Sequence, residues 1–263
     1  MARKFTRSRA RNSAPPPGRE RPEADIIGMR LNKYVSHSGI ASRREAAELV
    51  KTGKVSVNGQ VEFNPGYQIV DGDKVTYQGK EIQPSERFVY LLLNKPAGVI
   101  TTTSDDRGRK TVMDLLKEDI KERIFPVGRL DRDTTGLLLL TNDGDTGKRL
   151  LHPKHKVAKV YKATLDKNVT RADLDKIRAG VELEDGPAPV NWANYSNDVN
   201  KKSVTLEITI GRNRVVRRIF LSLGYTVEKL DRAYLAGLTK KDLPRGYYRH
   251  LTEEEIRMIR HFS

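Results

Sequence analysis

The sequence predicts an α+β chain in two parts: a small α+β module, then a larger domain on a mixed, mainly antiparallel β-sheet with flanking helices. Three observations predict it. A capped helical stretch followed by an Asn-Gly hairpin signal lies between residues 28 and 83. Beyond residue 88 come apolar runs of strand length (Val89 to Leu93, Leu137 to Leu140, Val157 to Leu165) and a clean period-2 stretch, Val204 to Ile210. Helical patterns interrupt those strands without the strict alternation that builds a parallel sheet.

Residues 1–27 read as a disordered basic arm. Arg3, Lys4, Arg7, Arg9, Arg11, Arg19 and Arg21 outnumber Glu20, Glu23 and Asp25, and Ser13-Ala14-Pro15-Pro16-Pro17-Gly18 offers little to bury. Such a segment does not offset its ordering entropy. A solubilising tail and an electrostatic tether are both open for it.

In the module at 28–83, Leu31, Tyr34, Val35 and His37 begin a short helix that stops near Gly39. A second helix starts at Ser42, which has Glu45 at capping-box spacing, and Gly53 ends it. Val55 to Val61, with Asn58-Gly59 at its centre, is a hairpin. Arg30, Lys33, Arg43, Arg44, Lys51 and Lys54 lie on or beside these elements. Arg43 and Arg44 fall in a first helical turn, where a cation opposes the macrodipole, so an external phosphate accounts for them better than stability does. A solvated basic face is the plainer alternative.

A short polar linker, 84–87, leads to the domain at 88–263. There the expected helices are Thr111 to Lys117, Ala172 to Ala179 (capped by Thr170), Val215 to Leu223 (closed by Gly224) and Glu253 to His261.

Composition narrows the function. Lys and Arg total 49 against 34 for Asp and Glu, a net charge of +15, which favours a polyanion as partner, nucleic acid first. The 263 residues include no cysteine, so disulfides, Cys-ligated metals and thiol catalysis are excluded; a reducing, cytoplasmic setting is expected. The longest apolar run, Phe88 to Leu93, falls far short of the ~20 residues of a membrane span, and no apolar stretch follows the basic start as in a secretory signal. No phosphate-binding glycine loop and no zinc-binding helix motif is present. His152 and His155 have no carboxylate cluster around them, so no metal is expected.

The densest polar segment is Val127-Gly128-Arg129-Leu130-Asp131-Arg132-Asp133-Thr134-Thr135-Gly136, immediately before the apolar run at Leu137. Loops on a rigid sheet are where reactive groups are placed. On spacing alone, a salt-bridged turn capping the strand fits as well.

Gly128 to Leu138 closely resembles the G-R-L-D-x-x-T-x-G-L-L signature of the RsuA family of ribosomal RNA pseudouridine synthases. Asn94-Lys95-Pro96-Ala97-Gly98 resembles the family's first motif, Lys159-Val160-Tyr161 its K-x-Y strand, and Gly211 to Arg218 its G-R-x-x-x-V-[RK]-R motif. Arg30 to Gly59 resembles the S4 RNA-binding domain that these enzymes carry N-terminally. The motifs stand in the family's order over residues 28–255. Ile210 departs from the pattern, since many relatives have an acidic residue there.

The resemblance implies an S4 domain at 28–83 and a pseudouridine synthase domain at 88–263. It implies isomerisation of a uridine in ribosomal RNA, with no cofactor, since no atoms are added and no redox change occurs. Asp131 would act as nucleophile at C1′ or as a base on the sugar. Arg217 matches its basic partner and Tyr161 the aromatic that stacks on the target base. Arg129 matches the residue beside the flipped-out nucleotide. Lys95, Arg132, Arg212, Arg214 and Arg218 are expected phosphate contacts, with Arg30, Lys33, Arg43, Arg44 and Lys54 on the S4 module. Thr111 to Leu116 and Phe125 to Gly128 look more like the large-subunit branch, which makes 23S rRNA the expected target. The partner is ribosomal RNA or a pre-ribosomal particle, with no membrane, and the chain is expected to be a monomer. The alternatives are a non-catalytic S4-type RNA-binding or ribosome-assembly protein, and a synthase acting on 16S rRNA or tRNA.

Overall fold

The computed structural model describes residues 26–84, 87–116, 120, 122–196 and 201–261. The basic arm therefore lies almost wholly outside the described residues, as does Lys117. The chain divides into two compact units.

The smaller unit comprises the described residues up to 89 and those between 120 and 124. Helices α1 (Leu31–His37) and α2 (Arg43–Lys51) pack on a four-stranded sheet of β1 (Val55–Val57), β2 (Gln60–Val61), β3 (Val75–Tyr77) and β4 (Lys80–Glu81), in the order β2-β1-β3-β4. Leu31, Val35, Ala46, Val50, Val55 and Val75 are fully buried between the layers. The capping box closes reciprocally: Ser42 N–H donates to Glu45 Oε2 at 2.7 Å, and Glu45 N–H to Ser42 Oγ at 3.3 Å. Asn58 (φ 53°) and Gly59 (φ 80°) make the expected tight turn between β1 and β2. The Asn58 side chain also bonds Asp73 Oδ1 and Lys74 N–H, which ties this turn to the entry of β3. A second hairpin, turning at Gln78-Gly79, joins β3 to β4. It was not expected, because Gln-Gly is a weaker turn signal than Asn-Gly.

The larger unit is built on a nine-stranded sheet. Its strands are β5 (Tyr90–Lys95), β6 (Phe125–Pro126), β7 (Thr134–Thr141), β8 (Lys159–Leu165), β11 (Trp192–Tyr195), β12 (Ser203–Ile208), β13 (Val227–Leu235), β14 (Leu238–Thr239) and β15 (Tyr248–His250). The hairpin of β9 (Val181–Leu183) and β10 (Gly186–Ala188) stands apart from it. The main order is β11-β12-β8-β13-β7-β5-β15, with β6 on β7 and β14 on β13. Only β13 against β7 is parallel; the other pairs are antiparallel, so the sheet is mixed and mostly antiparallel as expected. Helices α3 (Gly144–Leu151), α4 (Arg171–Ala179), α5 (Val215–Ser222) and α6 (Glu253–Arg260) complete the unit. Thr170 caps α4, and Thr252 closes a capping box with Glu255 on α6. Among the described residues no helix is long and apolar enough to cross a membrane.

The expected helix at Thr111 is a correction. Among the described residues a 3-10 turn, Met113–Leu115, forms there in place of an α-helix. Asp114 accepts from Thr111 N–H at 2.7 Å and from its hydroxyl, and Leu116 is extended at ψ 155°, so the turn closes on itself and does not propagate.

One row of residues runs across five strands. Lys95 (β5), Gly136 (β7), Arg232 (β13), Tyr161 (β8) and Leu206 (β12) lie opposite one another in register and share a face. Gly136, at φ 109°, permits a close approach: a Cβ there would collide with the backbone of Arg232.

Candidate active site

The loop from Gly128 to Asp133 enters β7 and is held from beneath. Leu130 is buried, and Thr101 brackets it: its hydroxyl donates to the Leu130 carbonyl at 2.7 Å and accepts from Leu130 N–H at 3.2 Å. Gly98 N–H donates to the Arg132 carbonyl at 2.8 Å. Lys95 is the main support. Its side chain is fully buried at the end of β5, and Nζ donates to the carbonyls of Thr134 at 2.8 Å, Asp131 at 3.0 Å and Pro96 at 3.1 Å. Burial lowers its pKa to about 8; the carboxylates of Asp133 and Asp131 oppose that fall, and Arg245 and Arg232 add to it.

Two carboxylates then face the start of α5. Asp131 Oδ2 lies 3.3 Å from Arg214 Nη1, with 37% of the aspartate side chain exposed. Asp133 Oδ2 lies 2.7 Å from Arg217 Nη2. Arg214 is the N-cap of α5, in the left-handed region at φ 45°, and this turn aims its side chain back at the loop. Arg217 sits in the first turn of α5 and is mostly buried; its Nη1 also donates to the Val227 carbonyl at 2.6 Å.

The structure therefore redistributes the expected roles. The cation touching Asp131 is Arg214, while Arg217, expected there, binds the neighbouring Asp133. Lys95, expected on a phosphate, is enclosed among backbone carbonyls and has no exposed surface. Arg212 and Arg218 are both bound to Asp185 in the β9–β10 turn. With Ile210 contributing no charge, that carboxylate comes from another element. Arg129 and Arg132 flank Asp131, and both are exposed with no ion-pair partner among the described residues. Tyr161 is buried on β8, opposite Arg232.

In the smaller unit Arg30, Arg43, Arg44 and Lys54 are exposed and Lys33 is partly buried.

A carboxylate set on a rigid turn, with a guanidinium at its side and an aromatic on the adjoining sheet, is a general arrangement. Likeness to known proteins identifies the family. Residues 89–222 match the RNA pseudouridylate synthase family, and residues 29–87 the S4 domain. The chain is a member of the RNA pseudouridine synthases. It is 44% identical to the ribosomal large subunit pseudouridine synthase B of Bacillus subtilis (strain 168), over 88% of this chain and 95% of that protein. It is 39% identical to an uncharacterized RNA pseudouridine synthase of Aquifex aeolicus (strain VF5), over 89% of this chain and 94% of that one. A crystal structure of a pseudouridylate synthase superposes with a TM-score of 0.64 at 29% identity, covering 88% of this chain and 99% of that chain.

RNA pseudouridine synthases isomerise uridine to pseudouridine in RNA. The N1–C1′ bond breaks, the uracil turns, and a C5–C1′ bond forms. The proton leaving C5 is balanced by one gained at N1, so the product is an isomer of the substrate. Sequence reasoning about this synthase missed the role of Asp133 and the whole of Asp185. The two acids of Asp131-Arg132-Asp133 were a signal for the first. Glu184-Asp185-Gly186 reads only as a turn, so Asp185 carried no signal of its own.

Proposed function

We propose that the chain isomerises a specific uridine of large-subunit ribosomal RNA, in the cytoplasm, with Asp131 as the reacting carboxylate. The observation that carries this is the Asp131 side chain itself: partly exposed, on a loop whose backbone Lys95 fixes, and beside a guanidinium at 3.3 Å. Either role, attack on C1′ or removal of a proton from the sugar, is one that a carboxylate can fill. The Bacillus relative, a ribosomal large subunit pseudouridine synthase, supports the large subunit as substrate. Tyr161 stacks on the uracil, Arg129 occupies the gap left by the flipped-out nucleotide, and Arg132 takes a phosphate. The S4 domain, through Arg30, Lys33, Arg43, Arg44 and Lys54, holds flanking RNA and sets the choice of site.

The test is to map pseudouridines in total RNA from a strain lacking the gene and from the same strain complemented. Loss and recovery of one pseudouridine in large-subunit rRNA is expected. Loss from small-subunit rRNA or tRNA contradicts the substrate assignment.

The S4 contribution has its own expectation. Replacing Arg43 and Arg44 by Ala removes two exposed cations without touching the core. The slope of log affinity against log salt should become shallower by about 1.4 to 1.8, from ~0.7 to ~0.9 per lost phosphate contact. The rate at saturating RNA should stay as in the wild type. Filter binding across a salt series measures it, and an unchanged slope removes these two residues from the interface.

A further inference from the structure

Four arginines crowd the segment that opens α5, and each faces a carboxylate. A helix N-terminus carries partial positive charge, so Arg212, Arg214, Arg217 and Arg218 are repelled there by the dipole and by one another. Asp131 takes Arg214 and Asp133 takes Arg217. The other two converge on Asp185. Arg212 Nη1 lies 2.8 Å from Asp185 Oδ1; Arg218 Nη2 lies 2.5 Å from Oδ1, and its Nη1 3.0 Å from Oδ2. Arg212 also donates to the carbonyls of Asp185 at 2.7 Å, Gly186 at 2.9 Å and Pro187 at 2.6 Å. The β9–β10 turn and the loop from Gly211 to Arg214 are thus locked together by hydrogen bonds to charged groups, which are stronger than neutral ones.

We propose that Asp185 is a positioning residue for the isomerisation. By holding Arg212 and Arg218 on one side of the loop, it leaves Arg214 and Arg217 as the pair that meets Asp131 and Asp133. This rests on the reading of Asp131 as the reacting carboxylate. Asp185 touches no reacting group itself. Without its charge, Arg218 loses both of its bonds to the carboxylate, while Arg212 keeps its three bonds to the carbonyls, so Arg214, Arg217 and Arg218 share two carboxylates. The chemical step then suffers, while the freed Arg218 binds an RNA phosphate.

The experiment measures tritium release from 5-tritiated-uridine rRNA, prepared from a strain lacking the enzyme, for wild type, Asp185→Ala, Asp185→Asn and Asp185→Glu. With Ala, kcat should fall ~10-fold or more while KM stays within ~3-fold, the pattern of lost positioning rather than lost binding. The salt slope of RNA binding should steepen by ~0.7 to ~0.9 as the Arg218 guanidinium becomes available. Asn keeps the shape and loses the charge, so it should follow Ala; if Ala does not fold, Asn decides. Glu should recover most of the rate. Wild-type kcat in both Ala and Asn overturns the proposal, and so does a lost rate with no change in salt slope and no recovery by Glu. Asp131→Asn, assayed beside them, separates the premises: if it stays active, the reading of Asp131 has failed whatever Asp185 does.

Discussion

Replacing Asp131 by Asn is expected to reduce turnover by more than ~100-fold, the least that a covalent or acid–base role is worth. The amide keeps the size of the side chain, and the backbone contacts of residue 131 with Lys95 do not involve the carboxylate. The pair with Arg214 is partly exposed on both sides, so its loss costs the fold little. RNA affinity should therefore stay within a few-fold and the melting temperature should hardly move. Tritium release with binding and melting measured on the same preparation checks all three. Activity above about a tenth of wild type is incompatible with Asp131 as the reacting group.

Lys95→Met should damage both the fold and the rate. The substitution keeps the stem and removes the donor, leaving the carbonyls of Asp131 and Thr134 without their buried partner. Each such group costs ~1 to 3 kcal/mol, so a loss of about 2 kcal/mol or more is expected. A loop displaced by even ~1 Å can lose ~100-fold in rate. The pH dependence carries a definite sign. In the folded protein Lys95 titrates near pH 8, and in the unfolded chain near ~10.4. Between those values the unfolded chain binds a proton that the folded one does not, so this group's contribution to stability rises with pH across that window. Lys159 and Lys240 are also lowered to about 8 by burial, but they are common to both proteins and cancel in the difference. The stability gap between wild type and Lys95→Met should therefore widen as pH climbs from ~7 to ~10. Denaturant midpoints at several pH values measure it, and a gap that narrows contradicts a buried lysine held as described.

Much of this was legible in the residues, for physical reasons that differ from place to place. The Ser42 capping box and the Asn58-Gly59 turn are local devices, complete within a few residues, and both form as read. The apolar runs of β5 and β7 mark strands covered on both faces, and such runs need no partner to be seen. Strand β13 was hidden. Its run Val227-Glu228-Lys229-Leu230-Asp231-Arg232 mixes charge into a bulged strand, and the register shifts break the period-2 pattern. Arg232 is buried there because Nε finds the Leu137 carbonyl at 2.7 Å, a partner 95 residues away. Within the candidate site, the motif loop could be located, but the pairing could not. Which of four arginines meets which of three acids depends on the left-handed turn at Arg214 and on the β9–β10 hairpin, and neither has a charge-pattern signature. Lys95 illustrates the same limit: a lysine beside a proline turn reads as exposed until the strand carrying it is seen paired with β7 and its ammonium enclosed by the loop carbonyls.

The single parallel pair in the sheet has a consequence for the order in which the enzyme matures. Strand β7, next to Asp131, is flanked by β5, which precedes it, and by β13, which comes some ninety residues later; Asn94 at the base of the loop waits for Leu243, 149 residues downstream. Closing such long loops is slow, and an emerging polypeptide cannot do so until the distant strand has left the ribosome. A chain halted before Arg232 still contains every S4 residue but lacks the strand shared by Gly136 and Tyr161, so β13 must be made before any uridine can be rearranged.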